Sequence, residues 1–283
     1  MTTNTTRGML VMSGPAELPR ALPRRPQISH VVFDFDGTLS WLRHGWPEIM
    51  LQVMLEELPA RGETLEERRR LLDGIIHGLN GRPTIMQMIR FAAVVRERGG
   101  KTLEPEQLRR RYQDRLDAEI AERTARVASG RIPRDEFVVF GARRLLEKLV
   151  QDGLTLAVLS STVVERVREE AEILALSSFF AGRIYGCVGD PERFSKRAVF
   201  ERLLSEQGIG GDQLLSFGDG PVEIKDTKEL GGAAVAICSD EDRNGSGVLN
   251  PIKREQLLAA GADLAIPDYR DALAVVDHLR GRP

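Results

Sequence analysis

The chain has 283 residues, 42% hydrophobic and 29% charged, the balance of a globular fold long enough for a large core or for a core with an insert. A formal net charge of −2 argues against general affinity for nucleic acid or an anionic membrane, so a small diffusible partner is expected. Cys187 and Cys238 each lie in an apolar segment and read as reduced core residues. No apolar run reaches the ~18 residues of a spanning helix and no signal-peptide segment opens the chain, so a cytoplasmic protein is expected.

In chain order, residues 1–27 contain Pro15, Pro19, Pro23 and Pro26, which interrupt any period and predict a loosely ordered arm. Ile28, Val31, Val32, Phe33 and Phe35 follow as a short run rich in β-branched and aromatic types, the pattern of a strand buried on both faces of a parallel sheet. Asp34 and Asp36 cannot lie unpaired inside such a strand, because a buried lone carboxylate is strongly unfavourable. They belong where the strand frays, beside a cation or water, with Gly37 and Thr38 turning the chain. That turn brings both acids to the crevice outside the strand's carboxyl end, where open α/β sheets bind ligands.

From 40 to 135 the pattern is helical. Ile49, Met50, Val53 and Met54 share a helical face; Ile85, Met88, Ile89 and Ala92 repeat it behind Pro83; a third segment runs from Pro105 to about Val127. The mixed Arg and Glu residues of that third segment read as a solvated face. After Phe137 helix and strand alternate to the end of the chain, with strands near Leu154–Leu159, Ile184–Val188, Gln213–Phe217, Ala233–Cys238 and Ala262–Ile266. The class is therefore α/β: a doubly wound core over 28–39 and 136–283, interrupted by an all-helical insert over 40–135.

Three further places combine a strand end or helix start with polar residues. Ser160, Ser161 and Thr162 follow the second strand, where a hydroxyl would bind a phosphate oxygen or cap the next helix. Lys196 stands where a helix begins, against the helix dipole, and a cation kept there would balance nearby carboxylates; Arg193 and Arg197 are its neighbours. Gly218-Asp219-Gly220 ends another strand, with Glu223 four residues beyond Asp219 and Asp226 as a rival second acid. Asp34, Asp36, Asp219 and Glu223 together exceed what Lys196 can neutralise, which implies a hard divalent cation with oxygen ligands, favouring Mg²⁺.

The Asp-x-Asp-Gly-Thr turn at Asp34 to Thr38, Ser160, Lys196 and the Asp219/Glu223 pair resemble, in order, the four motifs of the haloacid dehalogenase (HAD) superfamily. The resemblance runs from about residue 28 to the end, and it implies a Rossmann-like HAD core with a helical C1-type cap closing over the crevice. It implies a Mg²⁺-dependent phosphatase acting on a small phosphorylated metabolite, a sugar phosphate or a phosphoglycolate-like acid. By the same resemblance Asp34 is the nucleophile that forms an aspartyl-phosphate, and Asp36 is the general acid and base. The metal then lies on Asp34, the backbone carbonyl of Asp36, Asp219 and, through water, Glu223, while Gly37, Thr38, Ser160, Ser161 and Lys196 bind phosphate. Glu223 stands where an aspartate is commoner, and the second acid at Asp36 disfavours dehalogenation. A phosphosugar mutase of the β-phosphoglucomutase type keeps the same motifs and is the alternative, with a non-catalytic binding or regulatory relative as the other. In the cap, Gly81 turns the chain ahead of Arg82, Thr84 and Gln87, which are candidates for contacts to a substrate's hydroxyls or carboxylate. Arg43, His44 and Trp46 would line the entrance or pack the cap, and His77 receives no role.

Overall fold

The computed structural model describes residues 12, 14–18, 21–79, 82–189, 193–240 and 242–282, so Gly81 and its expected turn lie outside the described residues, as does part of the expected arm. The strands are β1 (His30–Phe33), β2 (Thr155–Val163), β3 (Ile184–Cys187), β4 (Leu214–Gly218), β5 (Ala233–Ile237) and β6 (Leu264–Ile266). They form one parallel sheet in the order β3-β2-β1-β4-β5-β6. The chain steps outward from β1 to β3 and then returns to the other flank of β1 to build β4 to β6. The carboxyl ends of β1 and β4 therefore face a topological switch point, where the connecting segments diverge and leave a crevice.

The helices are α1 (Trp46–Glu57), α2 (Leu65–Gly78), α3 (Thr84–Glu97), α4 (Pro105–Ala128), α5 (Ala142–Gln151), α6 (Val164–Ile173), α7 (Lys196–Gln207), α8 (Pro221–Glu229), α9 (Pro251–Ala259) and α10 (Ala272–Arg280). Both sheet faces are covered, as the near-continuous apolar strands require. In β1, Val31 and Phe33 face the main core with Leu145 of α5, Val167 of α6 and Val275 of α10, while Val32 points the other way, toward Phe200 of α7. Ile224 of α8 and Leu257 of α9 continue that second face under β5 and β6. Cys187 and Cys238 are buried and carry no disulfide.

Helices α1 to α4 have a core of their own, with Met54, Leu72, Ile76, Phe91 and Leu116 packed together apart from the sheet. Three of these helices show a clear apolar period in the sequence; α2 does not, because Leu65-Glu-Glu-Arg-Arg-Arg dilutes the apolar stripe of Leu72, Ile75 and Ile76. Its start is nonetheless encoded, since the Thr64 hydroxyl accepts from Glu67 N at 3.2 Å and Thr64 N donates to the Glu67 carboxylate at 2.8 Å. The two crossings between sheet and helical unit pair with each other: Trp41 N donates to Phe137 O at 2.8 Å and Val139 N to Leu39 O at 2.9 Å. All four of those residues pack in the sheet's core.

The described part of the expected arm is docked. Glu17 pairs antiparallel with Ala265 of β6 and forms an ion pair with Arg254, and Leu22 is buried against the main core. Prolines prevent a regular element, yet an extended chain can still lie along a sheet edge and satisfy its open hydrogen-bonding groups. Among the described residues, no helix is long and apolar enough to cross a membrane.

Candidate active site

Asp34 extends the β1 ladder by one residue, its N–H donating to Phe217 O at 2.9 Å. The chain then folds back, with Leu39 N and Ser40 N both donating to Phe35 O, at 2.9 and 2.8 Å, and Gly37 N donating to Ser40 O at 2.9 Å. Gly37 adopts φ +74°, and a methyl group on its Cα would lie 2.2 Å from Asp219 Oδ2. The turn after β1 and the end of β4 thus meet with no room for a side chain.

One carboxylate oxygen from each of Asp34, Asp219 and Glu223 lies within 4.8 Å of the others. Lys196, the first residue of α7 and only 5% exposed, reaches into this group: its Nζ is 2.6 Å from Asp34 Oδ1 and 3.0 Å from Glu223 Oε2. Glu223 sits in the first turn of α8, its Oε1 accepting from Gly220 N at 2.6 Å. Asp219 accepts from the Thr38 hydroxyl at 3.4 Å and is paired through Oδ2 with Lys253 at 2.9 Å. Burial pushes the Asp34 carboxyl well above its ordinary range; Lys196 draws it down, and Glu223 and Asp219 push it up again. Burial pulls the Lys196 ammonium down, but Asp34 and Glu223 outweigh it and push it above its ordinary range.

Asp36 faces a different set of partners. Its Oδ2 accepts from the Thr162 hydroxyl at 2.8 Å and the Ser160 hydroxyl at 3.4 Å. Arg43 Nε stands 2.8 Å from Asp36 Oδ1, at ion-pair distance without the alignment of a hydrogen bond, while Nη2 donates to Glu170 Oε1 at 2.5 Å. Arg43 and Glu170 are 8% and 6% exposed, so each depends on the other for charge compensation. Arg43→Ala would leave the buried Glu170 and the partly exposed Asp36 without this cation and is expected to lower stability by about 3–5 kcal/mol, measured by urea unfolding. A loss below about 1 kcal/mol would mean that water replaces the guanidinium there.

Most of the residues picked out from sequence come together around one cavity of about 530 Å³. Its core side is lined by Asp34, Asp36, Ser160, Ser161, Lys196, Asp219 and Glu223, and its helical side by Trp46, Arg82, Thr84, Gln87, Arg109 and Tyr112. Three details differ from the sequence reading. Arg43 borders the cavity, but its guanidinium is committed to Asp36 and Glu170. Gln87 is 3% exposed and donates its amide to Ile76 O at 2.7 Å, which ties α3 to α2. Thr162 caps no helix, because β2 continues to Val163 and α6 starts without a side-chain cap, so its hydroxyl serves Asp36. Asp226, the rival second acid, is not part of the acidic group that Glu223 joins, and Arg197 pairs with Glu201 and Glu229 instead.

Glu170, Ser239 and Lys253 were missed. A glutamate on a helix face carries no local signal, but Lys253 did: it occupies the first turn of α9 after Asn250-Pro251, the same placement against the helix dipole that distinguishes Lys196. Around the cavity, Arg43 faces Asp36 and Glu170, Lys196 faces Asp34 and Glu223, and Lys253 faces Asp219. Hard oxygen donors converging from three carboxylates fit a hard divalent cation.

A family model described as haloacid dehalogenase-like hydrolase matches residues 28–231. No curated protein matches the sequence. Among solved structures, a predicted phosphoglycolate phosphatase from Haemophilus somnus 129pt is 18% identical with a TM-score of 0.60, covering 88% of this chain and 98% of that one. A HAD family hydrolase from Deinococcus radiodurans R1, with bound phosphate and sodium, is 15% identical with a TM-score of 0.58, covering 90% of this chain and 97% of its own. A candidate β-phosphoglucomutase from Thermotoga maritima is 18% identical with a TM-score of 0.55, covering 89% of this chain and 100% of its own. At these identities the likeness is one of fold. The family match extends from β1 through α8, the stretch that contributes Asp34, Asp36, Lys196, Asp219 and Glu223, and the chain belongs to the haloacid dehalogenase-like hydrolases.

Proposed function

We propose that the protein is a cytoplasmic, Mg²⁺-dependent phosphatase that hydrolyses a small phosphorylated metabolite through an aspartyl-phosphate on Asp34. The observation that carries this reading is the division between the two acids of one turn. Asp34 is buried against Lys196 at the floor of the cavity, and Asp36 is held apart from it by Thr162, Ser160 and Arg43. Two carboxylates in such different settings suit two roles. A carboxylate oxygen of Asp34 attacks phosphorus as the ester P–O bond breaks, and Asp36 delivers its proton to the leaving alkoxide. Asp36 then takes a proton from the water that attacks the same phosphorus, which frees inorganic phosphate and restores Asp34. Lys196 offsets charge on Asp34 and on the phosphoryl oxygens throughout. A divalent ion held by Asp34, Asp219, Glu223 and the Asp36 carbonyl would supply the positive charge that allows one anion to approach another.

The helical unit supports a small substrate, since it walls a cavity of about 530 Å³ and would exclude bulk water from it. Arg109 is taken up by Glu106 through two contacts of 2.7 Å, whereas Arg82 and Thr84 border the same space at the start of α3. They are the specificity residues in this reading, and they suit a substrate with hydroxyls or a carboxylate beyond its phosphate. The test is phosphate release from a panel of sugar phosphates and phosphorylated hydroxy acids, in Mg²⁺ and in EDTA. Release that requires Mg²⁺ is expected. An isomeric sugar phosphate instead of free phosphate would make the protein a mutase, and silence across the panel would remove the phosphatase reading.

A further inference from the structure

Lys253 is 9% exposed, although it carries a long cationic side chain and sits in the first turn of a helix, where the dipole opposes a positive charge. Two unfavourable circumstances coincide at this position, and the surroundings show what offsets them. Its Nζ is 2.9 Å from Asp219 Oδ2 and 3.2 Å from Ser239 Oγ. The Ser239 hydroxyl in turn donates to Gly37 O at 3.3 Å, so Lys253 joins the ends of β4 and β5 to the turn after β1. The backbone fixes the lysine's place, since Asn250 Oδ1 accepts from Ile252 N at 3.0 Å and Lys253 N at 3.1 Å.

We infer that Lys253 is a built-in counter-cation of the metal centre, holding Asp219 in place and competing by charge with the metal ion for that carboxylate. The inference rests on the reading of Asp219 as a metal ligand. Lys196 faces Asp34 and Glu223 from one side and Lys253 faces Asp219 from the other, so each acid of the group has a fixed cationic partner. A fixed positive charge beside a ligand lowers the site's affinity for a divalent ion, and it stabilises the same acids when the ion is gone. The metal then binds and leaves without the turn after β1 losing its support. Lys253 acts through Asp219 and is a positioning residue.

The test uses the full chain and Mn²⁺ as the probe, with binding followed by electron paramagnetic resonance in the absence of substrate. Lys253→Met is expected to bind Mn²⁺ about tenfold more tightly or better, because a like charge near the ion has been removed. Lys253→Gln, which stays polar beside Ser239, should tighten binding similarly and serves if the methionine variant does not fold. Lys253→Arg keeps the charge and should stay within about threefold of the unaltered chain. Thermal melts give a second readout: the neutral variants should lose more stability in EDTA than in saturating Mg²⁺, as linkage requires. A lysine with only a structural role would lower both melts equally. Unchanged or weaker Mn²⁺ binding in both neutral variants would overturn the inference while leaving the metal site intact. No Mn²⁺ binding by the unaltered chain would instead overturn the reading of Asp34, Asp219 and Glu223 as a metal centre, and the inference with it.

Discussion

Asp34→Asn is expected to reduce Mg²⁺-dependent phosphate release by roughly four orders of magnitude or more, the scale seen when a nucleophile that forms a covalent intermediate is removed. The substitution keeps the side chain's size and its place at the end of β1, where Asp34 N remains bonded to Phe217 O. An amide is no nucleophile toward phosphorus, so the chemical step loses its first event rather than its geometry. Stability separates this account from a general loss of structure. Burial and the nearby Glu223 and Asp219 push the Asp34 carboxyl well above its ordinary range, so a neutral amide relieves charge crowding even as Lys196 loses a partner. The variant should therefore melt close to the unaltered chain while releasing almost no phosphate. Equal release from both proteins, in matched preparations, would show that Asp34 is not the attacking group.

Gly37→Ala should also be severe, for a reason that lies wholly in the backbone. At φ +74° a residue with a Cβ is disfavoured by about 1–2 kcal/mol. The larger effect is steric, because the new methyl would stand 2.2 Å from Asp219 Oδ2 and 2.8 Å from Asp219 Cγ. Asp219 cannot swing aside freely, since Lys253 holds its Oδ2 and the Thr38 hydroxyl its Oδ1. Either the turn or Asp219 must shift, and a displacement of about 1 Å among reacting groups costs on the order of a hundredfold in rate. We expect kcat to fall by at least that factor with a modest loss in urea stability. Near-normal kcat would mean that the turn carries no precise positioning. In the sequence Gly37 reads as part of a turn motif; in the structure the glycine also leaves room for Asp219 at the end of β4.

The contrast between α2 and α4 shows how much of the fold could be read in advance. Pro105 at a helix start and the long run to Ala128 declared α4, whereas the charged opening of α2 hid a short apolar stripe that matters only against Phe91 and Met54. In the same way, Asp34, Asp36, Lys196 and Asp219 were visible because a charge at a strand end or helix start conflicts with local preference. Glu170, on a helix with other glutamates, conflicts with nothing local and became visible only through its bond to Arg43.

The sequence by itself determined the alternation of strand and helix, the long helical stretch after the first strand and the acids at the strand ends, because periodicity and misplaced charge are local properties of the chain. The tertiary structure alone decided which charge compensates which. It turned Asp36 toward Thr162 and Arg43, buried Arg43 on Glu170, and set Lys253 against Asp219. The strand order β3-β2-β1-β4-β5-β6 brings together residues more than a hundred positions apart, and an ion pair depends on distances in space that no local pattern records.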